Sequence, residues 1–279
     1  MFTKEAIQAL QESEAISSAA AVIENSGDAL NIAALPSDFS IHDLERYLPN
    51  RRRARGTMTT ADVADFAVYV KAHAESNASV FVDASAMAAN AVLNLGTAEA
   101  PGHADNRAAV TLQKTATYEA MRQIANGIGR KQADIAEFLE DWSEHIKCFD
   151  DAGPIDTPKG IAAIRKLTIE AMRKVESSAQ NLSASQSAFE SVSATSGAAP
   201  IPTIIYFTCV PYQGLESHQF VLRLGVLTGG DKPAVTLRLI KAELHAEWMA
   251  KEFAVLVGAA LNKDSKVIPV LVGSYSIKA

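Results

Sequence analysis

The chain has 279 residues, a formal net charge of −6, 48% hydrophobic and 21% charged residues. At this length folding removes roughly three quarters of the unfolded surface from water, and the composition excludes a fibrous or disordered polymer. The acidic balance excludes a surface coated in basic charge for nonspecific duplex binding and leaves only a local basic patch.

Cys148 and Cys209 are the only cysteines and lie far apart, so no disulfide framework or paired-cysteine metal motif is indicated. Both are expected free, in a reducing compartment. Lys4, Glu5 and Gln8 interrupt the apolar stretch that a signal peptide needs. No run approaches the ~20 apolar residues of a membrane span; Val255 to Leu261 is short and bounded by Lys251, Glu252 and Lys263. These features predict a cytoplasmic protein with no membrane partner.

In chain order, Thr3 to Ile23 shows a weak amphipathic pattern with Ile7, Leu10 and Ile16, followed by the turn residues Asn25 to Asp28. This predicts a helical arm over residues 1–24, ahead of a body over residues 25–279. Ala29 to Leu35 is a short apolar run stopped by Pro36, and Ile41 to Leu48 reads as a brief helix ended by Pro49. Thr59 is placed to cap a helix starting near Thr60, with Asp62 as the weaker capping-box acid. That helix buries Val63, Phe66 and Val70. Val80 to Val82, Ala91 to Leu95 and Ala108 to Leu112 read as strands, and Ala100 to Asn106 as a loop.

Thr115 to Asn126 predicts a helix ended by Gly127 and Gly129. Ile135, Phe138, Leu139, Trp142 and Ile146 recur at three and four, predicting one amphipathic helix from Lys131 to Lys147. Thr157-Pro158 predicts an N-cap with proline at the first helical position, and a helix through Ile161, Ile164, Leu167, Ile169 and Met172. Ser177 to Ala199 is rich in Ser, Ala and Gln. It reads either as a linker, a sub-boundary near residues 177–199, or as a polar two-stranded ribbon burying Leu182, Phe189 and Val192.

Ile204 to Val210 is an apolar strand stopped by Pro211 and Gly214. Phe220 to Leu227 and Ala234 to Ile240 flank a Gly229-Gly230 turn and predict a hairpin. A helix over Lys241 to Leu261 and a last strand over Val267 to Val272 complete a β-β-β-α-β order, which requires a partly antiparallel sheet. The fold class is therefore α+β: a mixed, largely antiparallel sheet packed against amphipathic helices.

The hairpin allows a sharper inference. Pairing of Leu227 with Ala234 sets Arg223 opposite Arg238, on the face away from Leu222, Leu224 and Leu237. Two like charges directly opposed are unfavourable. Either a carboxylate from another element or subunit neutralises them, or an anion such as phosphate sits between them. Arg51, Arg52, Arg53 and Arg55 form the one dense basic cluster. Guanidinium groups suit bidentate phosphate binding, but the cluster lacks the interleaved rings of a base-stacking platform, and intersubunit or intrachain ion pairing with the acidic excess is the simpler reading.

His103 and Asp105, two apart in a glycine-containing loop, are metal-ligand and acid/base residue types, with Asp83 a conceivable partner. A catalytic zinc site needs a third protein ligand that spacing does not nominate, so a polar loop that orders a turn is the simpler reading. His245 shares a helical stripe with Met249 and Phe253 and reads as a core-edge histidine. Glu243 and Glu247 flank it in an order unlike the two-histidine metalloprotease helix. Gly102, Gly127, Gly129, Gly229 and Gly230 form neither a dinucleotide fingerprint nor a P-loop.

Several stretches together resemble the YfdQ-like family of bacteriophage and prophage proteins. They are Leu35-Pro36 with Phe39, Asp43-Leu44-Glu45, Arg53 to Gly56 leading into Phe66 and Tyr69-Val70, Pro101 to Asp105, and Pro211 to Leu215. The resemblance implies a phage-derived protein acting in the bacterial cytoplasm, and it carries no catalytic residues or cofactor. The expectation is a non-enzymatic, self-associating protein whose partner is a second copy of itself, with the N-terminal arm contributing to subunit contacts. A nucleic-acid-binding accessory protein of phage recombination or replication, using the arginines named above, is the alternative. A metal-assisted hydrolase built on His103 and Asp105 ranks last.

Overall fold

The computed structural model describes residues 3–25, 45–47, 49–167, 200–227, 234–262 and 267–276. The chain divides into two compact units, Met1–Ala54 and Arg55–Ala279. In the first, helix α1 spans Lys4–Asn25, and Glu45–Tyr47 forms a single 3-10 turn. The backbone N–H of Arg52 donates to Glu45 Oε1 at 3.1 Å. Of the expected helix over Ile41 to Leu48, only Glu45 to Tyr47 lie among the described residues, and they form that turn. The segments Ala29 to Leu35 and Ser177 to Ala199 lie outside the described residues.

The second unit holds two five-stranded sheets. The strands of the first are β1 (Gly56–Thr60), β2 (Ser79–Asp83), β3 (Ala88–Val92), β4 (Asn106–Thr111) and β10 (Val270–Val272). Their spatial order is β1-β4-β3-β2-β10. The β2-β3-β4 meander is antiparallel, and β1 and β10 join its two edges in parallel. Helix α2 (Val63–His73) buries Val63, Phe66, Ala67 and Val70. Fully burying a side chain such as Phe66 or Val70 contributes about 2 kcal/mol.

Thr59 does not cap α2. The Gly-Thr-Met-Thr-Thr run is rich in β-branched residues, which suit a pleated edge, and it becomes β1. Asp62 is itself the N-cap, its carboxylate accepting from the N–H groups of Ala64 at 2.7 Å and Asp65 at 3.0 Å. The second expected strand begins three residues earlier than the sequence suggested, at Ala88.

The second sheet comprises β5 (Ile146–Asp150), β6 (Gly153–Ile155), β7 (Ile204–Cys209), β8 (His218–Leu227) and β9 (Ala234–Leu239), in the order β6-β5-β7-β8-β9. All its pairings are antiparallel. Helices α3 (Ala116–Ile124), α4 (Gln132–Asp141) and α5 (Thr157–Arg165) back it, and α6 (Ala242–Leu261) packs against α2 and β10. The architecture is α+β, as the sequence pattern indicated.

Three details depart from that pattern. Helix α4 stops at Asp141, a 3-10 turn at Ser143–His145 follows, and Ile146 opens β5, so the expected long helix is a helix followed by a strand. Asp156 rather than Thr157 occupies the N-cap position of α5, without a side-chain cap bond, placing Pro158 one position further in. The last strand, β10, leaves the hairpin sheet and pairs with β2 of the other.

Candidate nucleic-acid interface

Strict alternation divides the second sheet into two unlike faces. Ile146, Cys148, Ile205, Phe207, Phe220, Leu222, Leu224, Val235 and Leu237 point to the helices and are buried. Their neighbours Lys147, Phe149, Ile204, Tyr206, Thr208, Gln219, Val221, Arg223, Thr236 and Arg238 point the other way, and none is buried. The observed register pairs Leu227 with Ala234 and sets Arg223 opposite Arg238, the pairing assumed from the sequence.

Directly opposed side chains on adjacent strands have Cβ atoms about 5 Å apart, so Arg223 and Arg238 leave the same face side by side, and the aliphatic stem of Arg238 also runs beside Gly127. Among the described residues neither has a carboxylate partner. Asp150 is the single acidic residue in the five strands, and it turns back to accept from Ala152 and Gly153, both at 2.9 Å. The row continues across the sheet: Arg223 pairs with Ile204, and Ile204 with Phe149. In the adjacent row Lys147 pairs with Tyr206. The rings of Phe149 and Tyr206 meet with centroids 4.8 Å apart. Gly225 keeps the surface low beside Arg223, since a Cβ there would lie 2.8 Å from Thr236 Oγ1.

The other arginines divide between the two units. Arg51, Arg52 and Arg53 close the first and Arg55 opens the second, and all four are exposed.

The loop with His103 and Asp105 is a folded turn. Buried Asn94 organises it: its Nδ2 donates to Asp105 Oδ1 at 2.9 Å, its Oδ1 accepts from Asn106 N–H at 3.0 Å, and its carbonyl accepts from Ala104 N–H at 3.2 Å. Gly96 and Gly102 pack so closely that a Cβ on either would overlap backbone. Asp83 stands at the opposite end of the sheet, beside Ala88 and Thr111. It is separated from the Asn106 end by about five residues of strand, roughly 17 Å. Asp83 binds Ser85 and Ala86, which holds its carboxyl below the usual value. The structure therefore does not bring His103 and Asp83 together, and no cluster of three metal-ligating residues occurs among the described residues.

A polar cluster that sequence spacing did not reveal joins β8 to α6. His218 Nε2 lies 2.6 Å from Glu252 Oε2, and Glu252 Oε1 accepts from Glu216 N–H at 2.6 Å. His245 is buried beside Phe220 and Trp248, and its Nδ1 has no partner among the described residues. Burial, with His218 adding charge, pushes the His245 pKa down. With the Glu252 carboxylate bound to backbone at one oxygen and to His218 at the other, the cluster acts as a latch between strand and helix.

The molecule is thus an α+β protein whose second sheet carries, among the described residues, cationic and aromatic side chains on its outer face. The family model described as an uncharacterized conserved protein (DUF2303) matches residues 3–275, and the chain belongs to that family. Neither the curated proteins nor the solved structures provide a match. No helix among the described residues is long and apolar enough to cross a membrane.

Proposed function

We propose that this is a non-enzymatic nucleic-acid-binding protein of phage or prophage origin, which holds the phosphate backbone on the outer face of its antiparallel sheet. The phage assignment rests on the likeness to the YfdQ-like family. The observation that carries the binding assignment is the Arg223–Arg238 register, in which neither arginine has a carboxylate partner among the described residues. Opposed like charges destabilise a sheet, and a phosphate between them converts that cost into two charge-assisted hydrogen bonds. Lys147 supplies a third cation on the same face.

Fluorescence anisotropy with labelled oligonucleotides tests the assignment. Replacing Lys147, Arg223 and Arg238 with Gln should abolish most binding at low salt. Replacing Lys159 and Lys166, exposed on and beside α5, should not. Equal effects of the two sets, or no binding by the native chain, would refute it.

Self-association is a second, compatible property. Helix α1 is 22 residues long, yet none of its described side chains is buried, and Ile7, Leu10 and Ile16 are 48%, 62% and 56% exposed. An isolated helix of ordinary composition is marginal in water, and a second copy of the chain is the partner we assign to it. Light scattering that finds only monomer across the micromolar range would remove this assignment.

A further inference from the structure

The arginine pair accounts for phosphate attraction but leaves unexplained the two rings on the same surface. Phe149 and Tyr206 are in contact on the outer face, although solvent-facing positions of an antiparallel sheet ordinarily carry polar side chains. Tyr206 lies between Lys147 on β5 and Val221 on β8, and it stands diagonal to Arg223. The rings therefore occupy one side of the patch and the guanidiniums the other, one to three strand spacings away, or roughly 5–15 Å.

A duplex hides its base faces in its own stack and offers this surface only phosphates. A single strand offers both phosphates and unpaired bases, which stack on aromatic side chains whatever their sequence. Only the second ligand uses everything the face presents: cations with no carboxylate partner among the described residues, and flat rings beside them.

We infer that the outer face of the second sheet is a single-strand platform, on which Phe149 and Tyr206 stack bases while Arg223, Arg238 and Lys147 hold the flanking phosphates. The inference rests on the nucleic-acid reading above and narrows it to strands with unpaired bases. Stacking is indifferent to the sugar, so DNA and RNA single strands should both bind. Preference for one over the other would come from contacts to the 2′-hydroxyl.

The test measures the affinity of the full chain for an oligo-dT, an oligo-U and a blunt DNA duplex, for native protein and for the Tyr206→Leu, Tyr206→Phe, Phe149→Leu and Arg223→Gln variants. Circular dichroism melts establish that each variant is folded. Tyr206→Leu should weaken single-strand binding roughly 5- to 150-fold and leave the duplex unchanged, Tyr206→Phe should retain the native affinity, and Arg223→Gln should weaken both. Should Phe149→Leu melt early, Tyr206→Leu decides by itself. Equal affinity for single strand and duplex, with no effect of ring removal, overturns the platform while leaving phosphate binding standing. Absence of binding to all three probes overturns both readings. So does a ring variant that changes only the oligomer size, since the face would then meet a second copy.

Discussion

Replacing Arg238 with Glu separates the cost of the arginine pair from its use. In the native register the substitution sets a carboxylate opposite Arg223, turning a repulsive cross-strand pair into an attractive one. Cross-strand charge pairs contribute about 0.2–1 kcal/mol, and exposed ion pairs fall in the same range. Removing the repulsion and adding the attraction should therefore stabilise the chain by about 1 kcal/mol. For a unit of this size that raises Tm by about 2–4 °C, and the gain should shrink in high salt as the pair is screened. Nucleic-acid affinity should fall in the same variant, because a phosphate contact has become a repulsion. Arg238→Gln should gain less stability and lose less affinity. Thermal melts at two salt concentrations, run beside anisotropy, give both readouts. A variant that is less stable than the native chain would show that the arginines are already neutralised, and the argument from unpaired charge would fail.

Other outcomes follow from the same structure. His245 has a depressed pKa, so both folded and unfolded chains hold it neutral well above its ordinary 6.5. Below that pH the unfolded chain takes up a proton that the folded one resists. Stability should fall as pH drops from 6.5 towards the folded pKa, and a His245→Leu variant should show a shallower decline in its melting profile. Burial pushes the Cys148 thiol up to about 11 and Cys209 up to about 12. Both should resist a disulfide reagent at pH 8 in native protein and react once it is unfolded, because the thiolate is the nucleophile. Asp62→Ala removes the α2 N-cap and should cost about 1 kcal/mol, a Tm loss of about 2–4 °C.

The hairpin was legible because two signals agreed. The glycine pair marked the turn, and alternation from Phe220 to Ile240 admitted one register that buries Leu222, Leu224 and Leu237 together. Strand β5 was hidden for the opposite reason. Trp142 and Ile146 continue the spacing of Ile135, Phe138 and Leu139, so the apolar stripe runs past the real helix end at Asp141. What ends the helix is tertiary: Ile146 pairs with Phe207 on a strand far along the chain, a contact that local periodicity cannot report.

Missing β5 concealed the platform. Lys147 reads as the last residue of a helix, and Tyr206 as one more apolar position in its strand. Its place between buried Ile205 and Phe207 was the one available sign that Tyr206 faces outward. The Pro101 to Asp105 stretch shows the reverse case. Its residue types admit a metal or acid/base site, with a polar loop that orders a turn the simpler reading, and Asp105, Gly102 and Ala104 are parts of a tight turn held by Asn94, which spacing alone could not nominate.

The most direct test of the account is the salt dependence of oligo-dT binding by the full chain. Three cations on phosphates of a single strand should give a slope of about −2 in log affinity against log salt, from about −0.7 per contact, falling to about −0.7 when Arg223 and Arg238 are replaced by Gln. A slope near zero, or one that those replacements leave unchanged, would contradict it.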